Sequence, residues 1–153
     1  MTNFDELSTV SVGMLIRKPV QEVFEAFIDP TITTKFWFTK SSGRLEKGRR
    51  IRWEWEMYGV SAELDVQEIE QNKRILIQFD DETTAEWLFT QRESEGTFVE
   101  IKNYGFKGNL TEIANQVIDS TGGYTIVLCG LKALLEHNIK LNLVADKFPD
   151  ANV

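Results

Sequence analysis

With one histidine, His137, and one cysteine, Cys129, the chain has few groups able to do covalent or metal chemistry. A single histidine excludes multi-histidine metal sites and leaves a nucleophilic triad only one candidate base. Cys129 and His137 stand eight positions apart on a stretch with helical spacing, about 12 Å along its axis, too far for a thiolate–imidazole pair. Lys132, close to Cys129 on the same side of that helix, keeps a redox role conceivable. A passive thiol is the simpler reading. His137, beside Asn138 near the helix end, reads as a favourable contact with the helix dipole. The acidic run Asp80-Asp81-Glu82 has metal-ligand residue types but falls where a hairpin must turn, so solvated turn charges account for it. Gly105-Phe106-Lys107-Gly108 lacks the spacing of a phosphate loop and follows no βα unit. No metal, nucleotide or other cofactor is expected.

What remains is aromatic. In IRWEWEMYG, residues 51–59, Arg52, Glu54 and Glu56 take one parity while Ile51, Trp53, Trp55 and Met57 take the other. A strand sends successive side chains to opposite faces, so this reads as one charged face and one large aromatic face. Parity predicts burial but leaves two readings open: the indoles fill a core, or they line a hollow. The polar atoms on the inward set are those of Tyr124, the indole N–H groups of Trp53 and Trp55, and Asn103. These can orient a ligand, but none is a general base near neutral pH. An enzyme is therefore the less favoured expectation, though not an excluded one.

These residues need a scaffold to position them. VSVGMLI, residues 10–16, predicts a first strand. In KPVQEVFEAFIDP, Pro19 suits a first helical turn, and Val20, Val23, Phe24, Phe27 and Ile28 keep the stripe of an amphipathic helix. Asp29-Pro30 ends it, because a residue before proline avoids the α region. TITTKFWF predicts a short second helix ending at Phe36, Trp37 and Phe38. From about Gly43 to Asn103 the period becomes two. Inward residues are Val60, Ala62, Leu64 and Val66, then Ile75, Ile77 and Phe79, then Ala85, Trp87 and Phe89, then Val99 and Ile101. Parity slips at Ile69, which predicts a bulge near Glu68. Turns at Asn72-Lys73, Asp80 to Glu82 and Glu93 to Gly96 make an antiparallel meander with one apolar face. Helical spacing returns at Leu110, Ile113, Ala114, Val117 and Ile118, with Asn109 and Glu112 as a capping box. Gly122-Gly123 is expected to interrupt before the stripe Tyr124, Val127, Leu128, Leu131, Leu134 and Leu135. The apolar side of the sheet is the surface available to receive that last helix.

Size and charge set further bounds. The chain has 153 residues, 42% hydrophobic and 27% charged, which fits one domain over 1–153 with its core at about 10–141. Seventeen Lys and Arg against 24 Asp and Glu give a net charge of −7, so nucleic acid is not an expected partner. The basic run Arg44, Lys47, Arg49, Arg50 and Arg52 is interrupted by Glu46, Glu54 and Glu56 and reads as a solvated turn. The N-terminus MTNFDELSTV has neither a basic nor an apolar leader region. No apolar run approaches the length of a membrane span. One cysteine cannot form an internal disulfide, and the Asn109-Leu110-Thr111 sequon has no meaning without export. A cytoplasmic protein without membrane insertion is expected.

Order and content together resemble a family. KPVQEVFEAFIDP followed by FWF, then GRLEKGRRIRWEWEMYG, VQEIEQNKRILIQF, TFVEIKNYGF and GGYTIVLCGLKALLE are similar to the activator of heat-shock protein 90 ATPase homologues. Those domains lie within the SRPBCC superfamily, which is START-like and birch-pollen-allergen-like. The likeness covers about Val10 to Leu141. The family often has Trp where this chain has Tyr124, and ANQVIDSTGG follows the pattern only loosely. The resemblance implies an α+β helix-grip fold, a curved antiparallel sheet wrapped around a long C-terminal helix with two short helices after the first strand. It further implies a cavity between sheet and helix lined by Trp53, Trp55, Trp87, Phe89, Asn103, Tyr124, Val127, Leu128 and Leu131, with Phe36 and Trp37 closing one end. The favoured function is non-enzymatic binding of a small apolar or amphipathic ligand there. The alternatives are a protein-interaction, co-chaperone-like or stress-response module with a chaperone or other protein as partner, and a cyclase- or hydrolase-type enzyme on the same fold.

Overall fold

A computed structural model describes residues 4–150, so the first and last three residues of the 1–153 range, including the start of the N-terminus read above, lie outside the description. One antiparallel sheet of seven strands organises the chain, in the order β1-β7-β6-β5-β4-β3-β2. The strands are β1 (Val10–Ile16), β2 (Lys40–Ser41), β3 (Arg50–Trp55), β4 (Val60–Glu70), β5 (Arg74–Phe79), β6 (Thr84–Arg92) and β7 (Gly96–Tyr104). β3 to β7 run as the expected meander, and β1 returns to pair with β7 as an edge, Val10 opposite Asn103. The period-two residues Ile51, Trp53, Leu64, Val66, Ile75, Ile77, Ala85, Trp87, Phe89, Val99 and Ile101 all point into the core. The register of β4 on β5 slips between Val66 and Glu68, where the parity change placed a bulge. An extra residue there sharpens the local twist and helps the sheet curl.

The alternation stops earlier than expected at the end of β3. Met57 falls in a 3-10 turn, Glu56–Tyr58, closed by Gly59 in the left-handed region at φ 62°. The chain therefore leaves the pleat before it re-enters at β4, and Val60 is exposed rather than inward.

Helices cover the apolar face. α1 (Phe4–Leu7) is a single turn before β1, and α2 (Val20–Ile28) buries Val23, Phe24, Ala26, Phe27 and Ile28. Asp29 adopts the extended backbone expected before Pro30, and its carboxylate caps the next element, α3 (Pro30–Thr33), by accepting from the Thr31 N–H at 2.9 Å. α3 is only four residues long, and turns bonded to the Thr33 carbonyl carry the chain on to Phe36 and Trp37.

The long helix differs from its reading in sequence. α4 (Leu110–His137) runs unbroken for 28 residues, straight through Gly122-Gly123. Two interior glycines cost about 1 kcal/mol each relative to alanine, but the turns on either side are well anchored. The Asn109–Glu112 capping box forms as expected, and Tyr124, Val127, Leu128 and Leu131 are buried against the sheet. The far end is stapled to β1: Lys132 Nζ donates to the Leu15 carbonyl at 2.8 Å and to Glu136 at 2.6 Å, while the Arg17 N–H donates to Glu136 at 2.8 Å. Only Ile113 and Val117 carry the inner side of the first half of α4. Leu110 and Ile118, placed in the stripe by spacing alone, face outward. A last short helix, α5 (Leu143–Lys147), follows.

Charges of the basic run are neutralised locally. Arg44 pairs with Glu25, Lys47 with Glu68, Arg49 with Glu46 and Arg52 with Glu54 and Glu63. Arg50 gathers Glu63, Asp65 and Asp80. Among the described residues, no helix is long and apolar enough to cross a membrane.

Candidate functional site

The inward aromatics divide into two layers. Trp53 and Trp87 are each 1% exposed and form the lower layer. Trp53 stacks on Phe38 with ring centres 4.7 Å apart and planes 16° from parallel. Trp87 lies edge-on or tilted to Phe27 and Tyr124, at 6.0 and 6.3 Å. Trp37 covers both indoles, 4.8 Å from Trp53 and 5.8 Å from Trp87. Offset and tilted contacts at these separations are favourable for aromatic pairs, so this layer is solid.

Above Trp37 the packing stops. A hollow of about 270 Å³ opens between the end of β3, the end of β5, one stretch of α4, and α5. Trp37, Trp55 and Phe79 form one wall, and Tyr124 and Val127 face them from the helix. Val144, Lys147 and Phe148 close the outer side, and Asp119 and Ser120 put polar atoms at the rim. Gly123 also lies on the wall, and a Cβ built on it would meet no heavy atom within 4 Å. A helix residue with no side chain at that point leaves the space open.

The expected site residues are thus separated by depth. The structure brings Trp37, Trp55, Tyr124 and Val127 together around the hollow. Trp53, Trp87, Phe89, Leu128 and Leu131 lie beneath in the core. Phe36 packs edge-on against Phe27 and borders a separate, smaller recess of about 80 Å³. Asn103 is buried on β7, where its amide donates to the Thr84 carbonyl at 2.8 Å. Phe79 was legible as inward but not as a wall. Gly123 carried a signal that reads equally as a helix break. Val144, Lys147 and Phe148 follow the last helical stripe and had no periodic signal.

The polar groups at this hollow are mostly donors. Burial pushes the Tyr124 hydroxyl well above the ordinary phenol pKa, and the negative charge of Asp81 adds to the effect, so it stays an O–H donor. Lys147 brings an ammonium, which also sits 5.1 Å over the Phe148 ring. Below, Trp87 Nε1 is buried and, among the described residues, has no hydrogen-bond acceptor. No group of three or more His, Cys, Asp or Glu side chains among the described residues is placed to hold a metal ion. Cys129 is half-buried on α4, and Lys132, its neighbour, is committed to Leu15 and Glu136.

The family model for activator of Hsp90 ATPase homolog 1-like proteins matches residues 17–136. The chain belongs to that family. Solved structures agree with this architecture. Protein SSP2350 from Staphylococcus saprophyticus is similar at 28% identity and a TM-score of 0.77, the match covering 87% of this chain and 95% of that one. Protein MLL2253 from Mesorhizobium loti is similar at 18% identity and a TM-score of 0.74, over 86% and 98% of the two chains. The Aha1 dimer from Colwellia psychrerythraea, a solution structure, is similar at 17% identity and 0.74, over 84% and 96%. The last two likenesses bear on fold alone. Among curated proteins none matches the sequence. The chain has the helix-grip arrangement: a curled antiparallel sheet closed over a long C-terminal helix.

Proposed function

We propose that this chain binds a small amphipathic molecule in the hollow above Trp37, without chemical turnover. The observation that carries the reading is the 270 Å³ space walled by Trp37, Trp55, Phe79 and Val127 on a core that is otherwise closely packed. That volume is close to the lower end of the range for small-molecule pockets, roughly 300–1,000 Å³. The ligand has an apolar, flat body that lies against the indoles. Its polar end accepts hydrogen bonds, because Tyr124 stays protonated and Lys147 donates. Asp119 and Lys147 stand at its edge, but no histidine or cysteine lines the space, which favours binding over catalysis. With one cysteine and no apolar span among the described residues, the cytoplasm is the compartment that fits. Native mass spectrometry of freshly purified protein tests the reading. A retained small molecule, lost on mild unfolding, is the expected result. A bare polypeptide mass that also shows no saturable uptake of anilinonaphthalene sulfonate contradicts it.

A protein-interaction role is the second reading, favoured by the family's own description as activators of an ATPase chaperone. It places a protein partner on the charged outer face of β3. Reversing Glu54 and Glu56 to lysine abolishes capture of such a partner under this reading and leaves ligand uptake alone.

A further inference from the structure

We propose that residues 138–148 form a hinged lid over the hollow, latched by the Tyr58 hydroxyl; the proposal rests on the ligand-binding reading above. After α4 ends, Asn138 and Asn142 both take left-handed backbone, at φ 54° and 57°. Asparagine is the non-glycine residue that accepts this region most readily. Two such turns, separated by Ile139 to Leu141 without regular structure, fold the chain back so that α5 lies beside α4. Five residues of helix have no stability of their own in water, so docking alone holds α5 in place.

The docking is slight. Tyr58, at the end of the 3-10 turn after β3, donates to the Val144 carbonyl at 2.9 Å, with Ala145 O at 3.4 Å. On the opposite side, Leu143 reaches the close approach between Gly130 and Phe36. The inner side of the lid supplies Val144, Lys147 and Phe148 to the wall of the hollow. Its apolar side chains are poorly covered: Ile139 and Leu141 are 49% and 42% exposed, and even Phe148 on the wall is 48% exposed. A segment with little buried surface, a single hydroxyl shared between two of its carbonyls and two turn residues at its base opens at a small fraction of the cost of unfolding the sheet. The family match covers residues 17–136, so the lid lies beyond the matched residues. Lid sequence thereby sets both access to the hollow and the chemistry of its outer side.

The Asp146 amide, which donates to the Asn142 carbonyl at 3.0 Å, reports on the lid directly. In full-length Tyr58→Phe, Asp146 is expected to exchange its amide hydrogen about tenfold faster than in wild type, while Leu128 and Leu131 in α4 keep their protection. Stopped-flow release of anilinonaphthalene sulfonate is expected to accelerate by a similar factor. Unchanged exchange at Asp146 overturns the lid, and so does faster exchange spread equally over α4 and the sheet. Exchange needs no ligand, so a wild-type protein that fails to take up the probe sinks the binding reading and still leaves the latch decided by Asp146.

Discussion

Trp37 and Trp53 are in direct ring contact, yet they have different jobs. Trp53 is enclosed on every side, so Trp53→Ala removes a full core side chain and is expected to cost about 3–5 kcal/mol in chemical denaturation. It also removes the support under Trp37, so probe affinity falls with stability. Tyr124 behaves differently. Its hydroxyl has no protein partner at hydrogen-bond distance among the described residues and stays protonated. Tyr124→Phe should leave the unfolding free energy within about 1 kcal/mol of wild type while weakening an acceptor-bearing ligand about fivefold, as loss of one neutral hydrogen bond implies. Equal affinity for the two proteins in a fluorescence titration would remove Tyr124 from the site. Parity told the inward face of Trp53 and Trp55 correctly, and helical spacing that of Tyr124. It could not tell their depth, because alternation along a strand is blind to which layer lies above it. Trp55 reaches the hollow only because β3 ends there, and Trp53, two residues earlier in the middle of the sheet, does not.

Elements were legible where the period was long and were not where a turn or tertiary contact decided. The five meander strands, the β4 bulge, the capped start of α4 and the stop at Asp29 all follow from local chemistry. The passage of α4 through Gly122-Gly123 does not, since docking of both halves outweighs a propensity cost. Leu110 and Ile118 turn outward although their spacing fits the stripe. α5 has too few residues for any period. One element-scale contact is sensitive to pH. Burial pushes the Glu136 carboxyl up, but the Arg17 N–H and the Lys132 ammonium pull harder and hold it below the ordinary carboxylate range. A carboxylate whose folded pKa is lowered stabilises the fold above its unfolded value, and that contribution is lost as pH falls through the folded one. Glu136→Gln is therefore expected to destabilise by about 1–3 kcal/mol at neutral pH, with the gap from wild type closing as the solution is acidified below pH ~4. A gap independent of pH in urea titrations would show that Glu136 acts by packing alone.

At the scale of the molecule, the charge of −7 is spread over a surface on which the basic run is paired to carboxylates, so no wide positive field survives to attract phosphate. The curled sheet and the long helix enclose a core that is solid at its centre and open at one end. That closure was legible from the order of the elements. The position of the opening was not, because it depends on a glycine in α4 and a lid with no sequence period.

The measurement that bears most directly on the hollow is a paired titration of wild type and Gly123→Leu with anilinonaphthalene sulfonate. Leucine at 123 has better helix propensity by about 0.8 kcal/mol, and its side chain enters space where the backbone meets no neighbour. Gly123→Leu is expected to unfold at the same or higher denaturant concentration, while its affinity for the probe falls at least about tenfold, the effect of losing roughly 1.4 kcal/mol of contact. Equal affinity in a variant that is folded and filled at residue 123 would contradict it.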